Sequence, residues 1–189
     1  THMYRGPVPC IDSDGRVLPY LLDARRRGVL FDTGHGAGSF VFRNVIPCVE
    51  QGFYPDSIST DLHTLSMNTG MLDMATTMSK FLVMGMPLVE VIRKSTVDAA
   101  KVINRPQHGH LSVGADADVA VLNLAHGTFG YLDSFDGKLE GDRRLTCELT
   151  LKDGEVVWDW NGLSGVDYRD QGDAVGIREN EALVMPPPA

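Results

Sequence analysis

The chain has 189 residues, with 43% hydrophobic and 22% charged residues and a formal net charge of −8. This length can bury one sizeable core, or one core beside a small second unit. The acidic balance argues against a general nucleic-acid binder, and no apolar run has the length of a membrane span or the form of a signal peptide. Cys10, Cys48 and Cys147 are far apart in sequence and odd in number, with neither zinc-ribbon nor redox-motif spacing. They read as reduced thiols of a cytoplasmic protein.

Thr1-His2-Met3 opens the chain without a polar lead-in; it reads either as the end of a strand or as residue of a cloning linker. A loop follows with Pro7, Pro9 and the turn signal Ser13-Asp14-Gly15. Leu18 to Arg27 has helical spacing (Leu18, Leu21, Leu22, Arg25), cations in its last turn and Gly28 after it. Val29-Leu30-Phe31 is a short apolar run of the buried parallel-strand kind, ending in Asp32-Thr33-Gly34-His35-Gly36. Ser39 is a candidate N-cap for a second helix reaching Gln51, with Pro47 expected to kink it. Ser57 to Thr60 reads as another strand, with Asp61-Leu62-His63 at its end.

A methionine-rich helix is predicted from Met71 to Met84, its methionines serving as core filler. Pro87 starts the next helix, and Thr96 is a candidate cap for its continuation. Strand, loop and helix in alternation are the mark of an α/β architecture with parallel strands. After His110 the character changes. Val119 to Leu122 reads as a strand, and Leu145 to Trp158 as a hairpin turning at Asp153-Gly154. Irregular structure is expected from about residue 163, through a polar stretch ending in three prolines.

Three polar clusters thus fall at strand ends: Thr1-His2, Asp32 to Gly36, and Ser59 to His63. Parallel α/β barrels gather their working groups at the carboxyl ends of strands. Histidine ligates zinc, and aspartate ligates metal or accepts a proton from water. Each residue also has a plainer reading: His35 as a hydrogen-bonded structural residue, Asp61 as a turn or cap residue, and His63, His108, His110 and His126 as solvated or incidental. Spacing alone does not choose between them.

Taken together, Thr1-His2, the segment Phe31 to Gly36 with Ser39-Phe40, the phrase Gly52 to His63, and Gly114-Ala115-Asp116-Ala117-Asp118-Val119 resemble the amidohydrolase superfamily. The likeness is to its dihydroorotase-like and N-acyl deacetylase branch, and it covers roughly residues 1 to 160. The resemblance implies an α/β fold: the carboxyl-terminal portion of a distorted (β/α)8 TIM-like barrel (1–105, strands six to eight) and part of a small β-sandwich (106–162), then an irregular tail (163–189). It implies a divalent metal, most often zinc, with His2 and Asp61 as ligands. It implies Asp61 as the catalytic general base in hydrolysis of an amide or ester bond of a small acyl compound. His35 is placed where it contacts substrate or orders the site. Arg5, near the entering strand end, could pair with a substrate carboxylate or simply face solvent.

The family's first-strand His-x-His pair, its bridging lysine and its fifth-strand histidine have no counterpart here. About three strand ends are present where a closed barrel needs eight. The expectation is therefore a chain that requires a missing amino-terminal barrel segment or a partner chain to complete its metal centre. The competing expectation is a catalytically silent fragment or interaction subunit. The expected partners are a small-molecule substrate, with room for a homo-oligomer, and neither nucleic acid nor membrane.

Overall fold

The computed structural model describes residues 1–68 and 70–170. The tail expected to be irregular from residue 163 therefore lies, beyond Asp170, outside the described residues. The architecture is α/β with a small antiparallel sheet. Five helices are described: α1 (Pro19–Arg26), α2 (Phe42–Glu50), α3 (Met74–Val83), α4 (Leu88–Ser95) and α5 (Val97–Val102). A three-stranded antiparallel sheet follows, in the order β1 (Val119–Leu132), β2 (Lys138–Lys152), β3 (Glu155–Asp159).

The predicted strand ends come together as three short extended segments, 1–4, 31–36 and 56–60. Thr33 N donates to Ser57 O at 3.1 Å, His35 N to Ser59 O at 3.3 Å and Gly36 N to Thr60 O at 2.8 Å. Parallel bridges join Asp32 to Ser57 and Tyr4 to Phe40. The pairing is shorter than the sequence suggests. Val29 and Leu30, expected as a buried strand, are exposed and have no strand partner among the described residues. Pairing starts only at Phe31, where a second segment lies alongside.

Each helix has a legible local cause. Pro19 occupies the first turn of α1, where its missing N–H costs nothing, and Gly28 at φ +91° ends it. Asp73 caps α3 by accepting from Thr76 N at 2.6 Å, so this helix begins three residues later than its apolar run. Helix α2 departs from expectation. Its N-cap is Val41, which has no capping side chain, and Ser39 plays no part. The Phe42 N–H instead donates to Asp133 Oδ2 at 3.0 Å, from the turn between β1 and β2. The cap is supplied from 91 residues away.

The β half was expected from Val119 to Leu122 and from Leu145 to Trp158. The observed strands are longer, and β1 pairs with β2 from Val119↔Leu151 to Leu132↔Lys138, with irregularities after Val121 and His126. Asp153 and Gly154 both take positive φ at the β2–β3 turn, as a tight hairpin needs. Strand β2 lies against α3. Leu145 N donates to Ser79 Oγ at 2.9 Å, and Arg143 Nη2 to Leu82 O at 3.1 Å. Leu145 and Tyr131 belong to the same core as Tyr4, Phe40, Val45 and Phe81. Within it Phe40 meets Tyr4 edge-on at 5.9 Å and Phe81 at 5.6 Å. Cys10 and Cys48, distant in sequence, are both buried there with their sulfurs 3.2 Å apart as free thiols.

Candidate functional site

The ends of the three segments meet at one place, and the backbone there is unusual. His2 and Asp61 are non-glycine residues with left-handed φ, +59° and +51°. Asp and His tolerate this conformation better than branched residues, at a cost of about 1 kcal/mol each. Gly34 and Gly36, at φ +49° and +51°, face them. A Cβ on Gly34 would lie 2.6 Å from His2 Nδ1, and one on Gly36 would lie 2.8 Å from Asp61 Oδ2. Glycine at both positions is what lets the segments close on each other.

His2 Nδ1 lies 2.7 Å from the Gly34 carbonyl oxygen. That oxygen can only accept, so Nδ1 carries a proton, and in the neutral ring the lone pair is on Nε2. His2 Nε2 is 3.6 Å from Asp61 Oδ2, and both side chains are partly open to solvent, at 32% and 48%. An imidazole lone pair beside a carboxylate oxygen is a donor set suited to a zinc-like divalent ion, with the imidazole's other nitrogen held by a carbonyl. The residues present fit such an ion as two of its ligands. Among the described residues no group of three or more His, Cys, Asp or Glu is placed to hold a metal.

Beneath this pair Asp32 ties the three segments together. It accepts hydrogen bonds from Thr1 Oγ1 at 2.6 Å, Ser57 Oγ at 2.7 Å and Ser59 Oγ at 2.8 Å. Ser59 Oγ in turn accepts from Gly34 N at 2.9 Å.

His35 stands apart from the open pair. It is fully buried, stacked on Phe40 at 4.4 Å with the rings nearly parallel. Its Nδ1 donates to the Gly36 carbonyl at 3.0 Å. Its Nε2 faces Lys80 Nζ at 2.7 Å. Burial, reinforced by the Lys80 charge, lowers the His35 pKa to about 3. Burial likewise lowers that of Lys80 to about 7, against an opposing pull from Asp133. Arg5 is exposed and, with Thr1, His2, Tyr20, Leu30 and Asp32, lines a cleft of about 350 Å³ on the flank of the site.

His63 lies in an exposed loop, where its Nδ1 accepts from Leu65 N at 3.3 Å. His108 pairs with Asp116 at 3.1 Å on the surface. Three residues around the site carried no motif: Lys80, Asp133 and Ser134. Lys80 had one faint signal, being the only charged residue of α3 in a helix buried continuously from Thr77 to Leu82.

Comparison with known proteins bears on the family and the fold. The pattern of the amidohydrolase family matches residues 41–157. A deacetylase of Brucella anthropi is 43% identical over 107 residues, covering 57% of this chain and 27% of that protein. A deacetylase of Agrobacterium fabrum is 41% identical over 118 residues, covering 62% of this chain and 29% of that protein. Among solved structures, an adenine deaminase superposes with a TM-score of 0.78 at 28% identity, over 84% of this chain and 44% of its own. A dihydroorotase superposes with a TM-score of 0.70 at 32% identity, over 84% of this chain and 42% of its own. The chain spans less than a third of the length of these two deacetylases and less than half of the two solved structures. The likeness in sequence and in fold falls in both cases on hydrolases of the amidohydrolase kind. The chain belongs to the amidohydrolase family. No helix among the described residues is long and apolar enough to cross a membrane.

Proposed function

We propose that the complete protein carrying this sequence is a metal-dependent hydrolase that removes an acyl group from a small amide, with Asp61 as general base. One observation carries the reading: His2 Nε2 and Asp61 Oδ2 stand 3.6 Å apart where the ends of the three segments meet. Both residues adopt left-handed backbone, as strained residues at working sites often do. The relatives named as deacetylases favour an acyl amide over other substrates.

In this reading residues 1–105 are the last part of a barrel, and 106–162 the last strands of a small β domain. His2, through Nε2, and Asp61 would hold a divalent ion, zinc by the chemistry of the donors, together with ligands beyond those described. When bound, the ion supplies Lewis acidity to the attacking water and the carbonyl oxygen. The Asp61 carboxylate takes the proton of the water and passes it to the leaving nitrogen. His2, with its Nδ1–H held by Gly34 O, would present Nε2 to that ion. Arg5, in the adjoining cleft, would pair with a carboxylate on the substrate. His35, buried behind Gly36, would order the site.

The test is Asp61→Asn in the complete protein, assayed for acetate release from a panel of N-acetylated amino acids. The expected result is a loss of turnover of about 10²–10⁴-fold with the fold retained. Near-normal turnover removes Asp61 from the mechanism. Metal analysis is the companion measurement. Stoichiometric zinc is expected in the complete protein; tight zinc in the isolated 189-residue chain would show that two described ligands suffice.

A further inference from the structure

Lys80 is a lysine with no exposed surface, on a helix, α3, whose residues Thr77 to Leu82 are all buried. A buried ammonium is costly unless each of its three N–H groups finds an acceptor. Here each does: His35 Nε2 at 2.7 Å, Gly70 O at 2.8 Å and Leu132 O at 2.6 Å. The three acceptors belong to three separate parts of the chain. His35 lies at the end of the second segment, Gly70 precedes α3, and Leu132 ends β1. Gly70 is itself pressed on Leu132, where a Cβ would come within 2.6 Å of the Leu132 oxygen. Phe40 completes the enclosure, its ring centre 5.4 Å from the ammonium.

The contact with His35 leads toward the open pair. Because Gly36 O can only accept, the His35 proton is on Nδ1, and Nε2 is left as acceptor for Lys80. The same Gly36 carbonyl also accepts from Ser134 Oγ at 3.3 Å, from the turn beyond Leu132. Gly36 N donates to Thr60 O, the residue before Asp61. The Asp61 carboxylate rests in the space that a Gly36 side chain would occupy. A chain of direct contacts therefore runs from Lys80 through His35 and Gly36 to Asp61.

We propose that Lys80 is the positioning residue of the Asp61 site: its ammonium sets the His35 ring, the ring sets the Gly36 carbonyl, and Gly36 sets where the carboxylate lies. The proposal rests on the reading of Asp61 as general base. Lys80 touches neither substrate nor metal; it acts through His35.

The experiment uses the complete, zinc-loaded protein with Lys80→Met, which removes the cation and all three donors at similar length. Nitrogen NMR of the imidazoles reports the His35 tautomer, and steady-state kinetics reports kcat and KM separately. The wild type should show a single neutral Nδ1–H form of His35. In Lys80→Met the Gly36 carbonyl still holds the Nδ1 proton, but Nε2 loses its donor, so the Nε2 resonance should shift away from its wild-type position and the ring should lose its single orientation. The value of kcat should fall about tenfold or more, as expected for a displaced catalytic group, with KM within about twofold.

Should Lys80→Met fail to fold, Lys80→Gln is read in the same way, since its amide can still donate to the two carbonyls. A folded variant that keeps wild-type kcat overturns the proposal. So does one that loses kcat with the His35 signature unchanged. Asp61→Asn separates the two layers. If it left turnover intact, the reading of Asp61 would fall, while the His35 signature would still decide for or against Lys80.

Discussion

The Asp61 carboxylate and the α-carbon of Gly36 are packed so closely that a methyl group on Gly36 would lie 2.8 Å from Asp61 Oδ2. Gly36 is also at φ +51°, where a side chain strains the backbone. Gly36→Ala should therefore cost about 1 kcal/mol of stability from the conformation alone. It should also push the carboxylate out of line with His2 Nε2 and lower kcat/KM of the complete protein about 10²-fold. Thermal unfolding and steady-state kinetics check the two effects separately, and a fall in stability without one in kcat/KM would show that Asp61 can shift freely.

Stability should depend on pH through His35. Its pKa falls from 6.5 in the unfolded chain to about 3 in the native one, because burial and then Lys80 disfavour the imidazolium. Between these values the unfolded chain binds more protons, so stability rises with pH from about 3 to 6.5 and is lost on acidification. The slope from this one group is at most about 1.4 kcal/mol per pH unit. Denaturant titrations across that window should show the slope in wild type, and His35→Gln should flatten it.

Lys80 acts in a different window by the same logic. Its pKa is lowered from 10.5 to about 7, so the unfolded chain again binds more protons between those values. Stability should rise with pH there, and Lys80→Met should remove that rise. A fall in wild-type stability from pH 7 to 9 would count against a buried Lys80 with this shift.

Much of this arrangement is legible in the sequence, and the exceptions share a cause. His2, Asp61 and the two glycines beside His35 announce themselves by residue type at strand ends, because the chemistry and the tight backbone each restrict what can stand there. Helices α1 and α3 follow from local caps and spacing. Lys80, Asp133 and Ser134 do not, because their roles depend on partners 45, 91 and 98 residues away. The N-cap of α2 is the clearest case. Ser39 has the right chemistry at the right distance, yet Asp133 takes the position because the hairpin turn folds back onto the helix. Val29 and Leu30 err in the other direction: their pattern is that of a buried strand, but burial needs a neighbour and the described chain places none there.

Asp133 should be worth more than an ordinary surface aspartate. Its Oδ2 caps α2 at Phe42, and its Oδ1 accepts from Phe135 N and Gly137 N, both at 2.8 Å. Asp133→Ala leaves three N–H groups without these partners, and a cost of about 2–4 kcal/mol is expected. Chemical denaturation measures it; a change below about 0.5 kcal/mol would mean that water replaces the carboxylate.

The contact of β2 with α3 gives a test by repair. A Cβ on Gly141 would lie 2.4 Å from Val83 Cγ1, so Gly141→Ala should destabilise the chain by about 1–3 kcal/mol. Val83→Ala vacates that space. The double variant should be more stable than the two single effects predict by addition, and strict additivity would show that the strand simply moves away.

The remote cap of α2 bears on how this protein can be cut. A boundary near residue 105 looks natural in the sequence, since parallel segments and helices lie before it and antiparallel strands after it. The Asp133 cap, the Ser134 bond to Gly36 O and the Lys80 bond to Leu132 O all cross that boundary. Expression of residues 1–105 alone would open the start of α2 and leave the buried ammonium short of an acceptor. The β hairpin thus supplies bonding partners that residues 1–105 lack alone, and the two halves should be recoverable from separate plasmids only when made together.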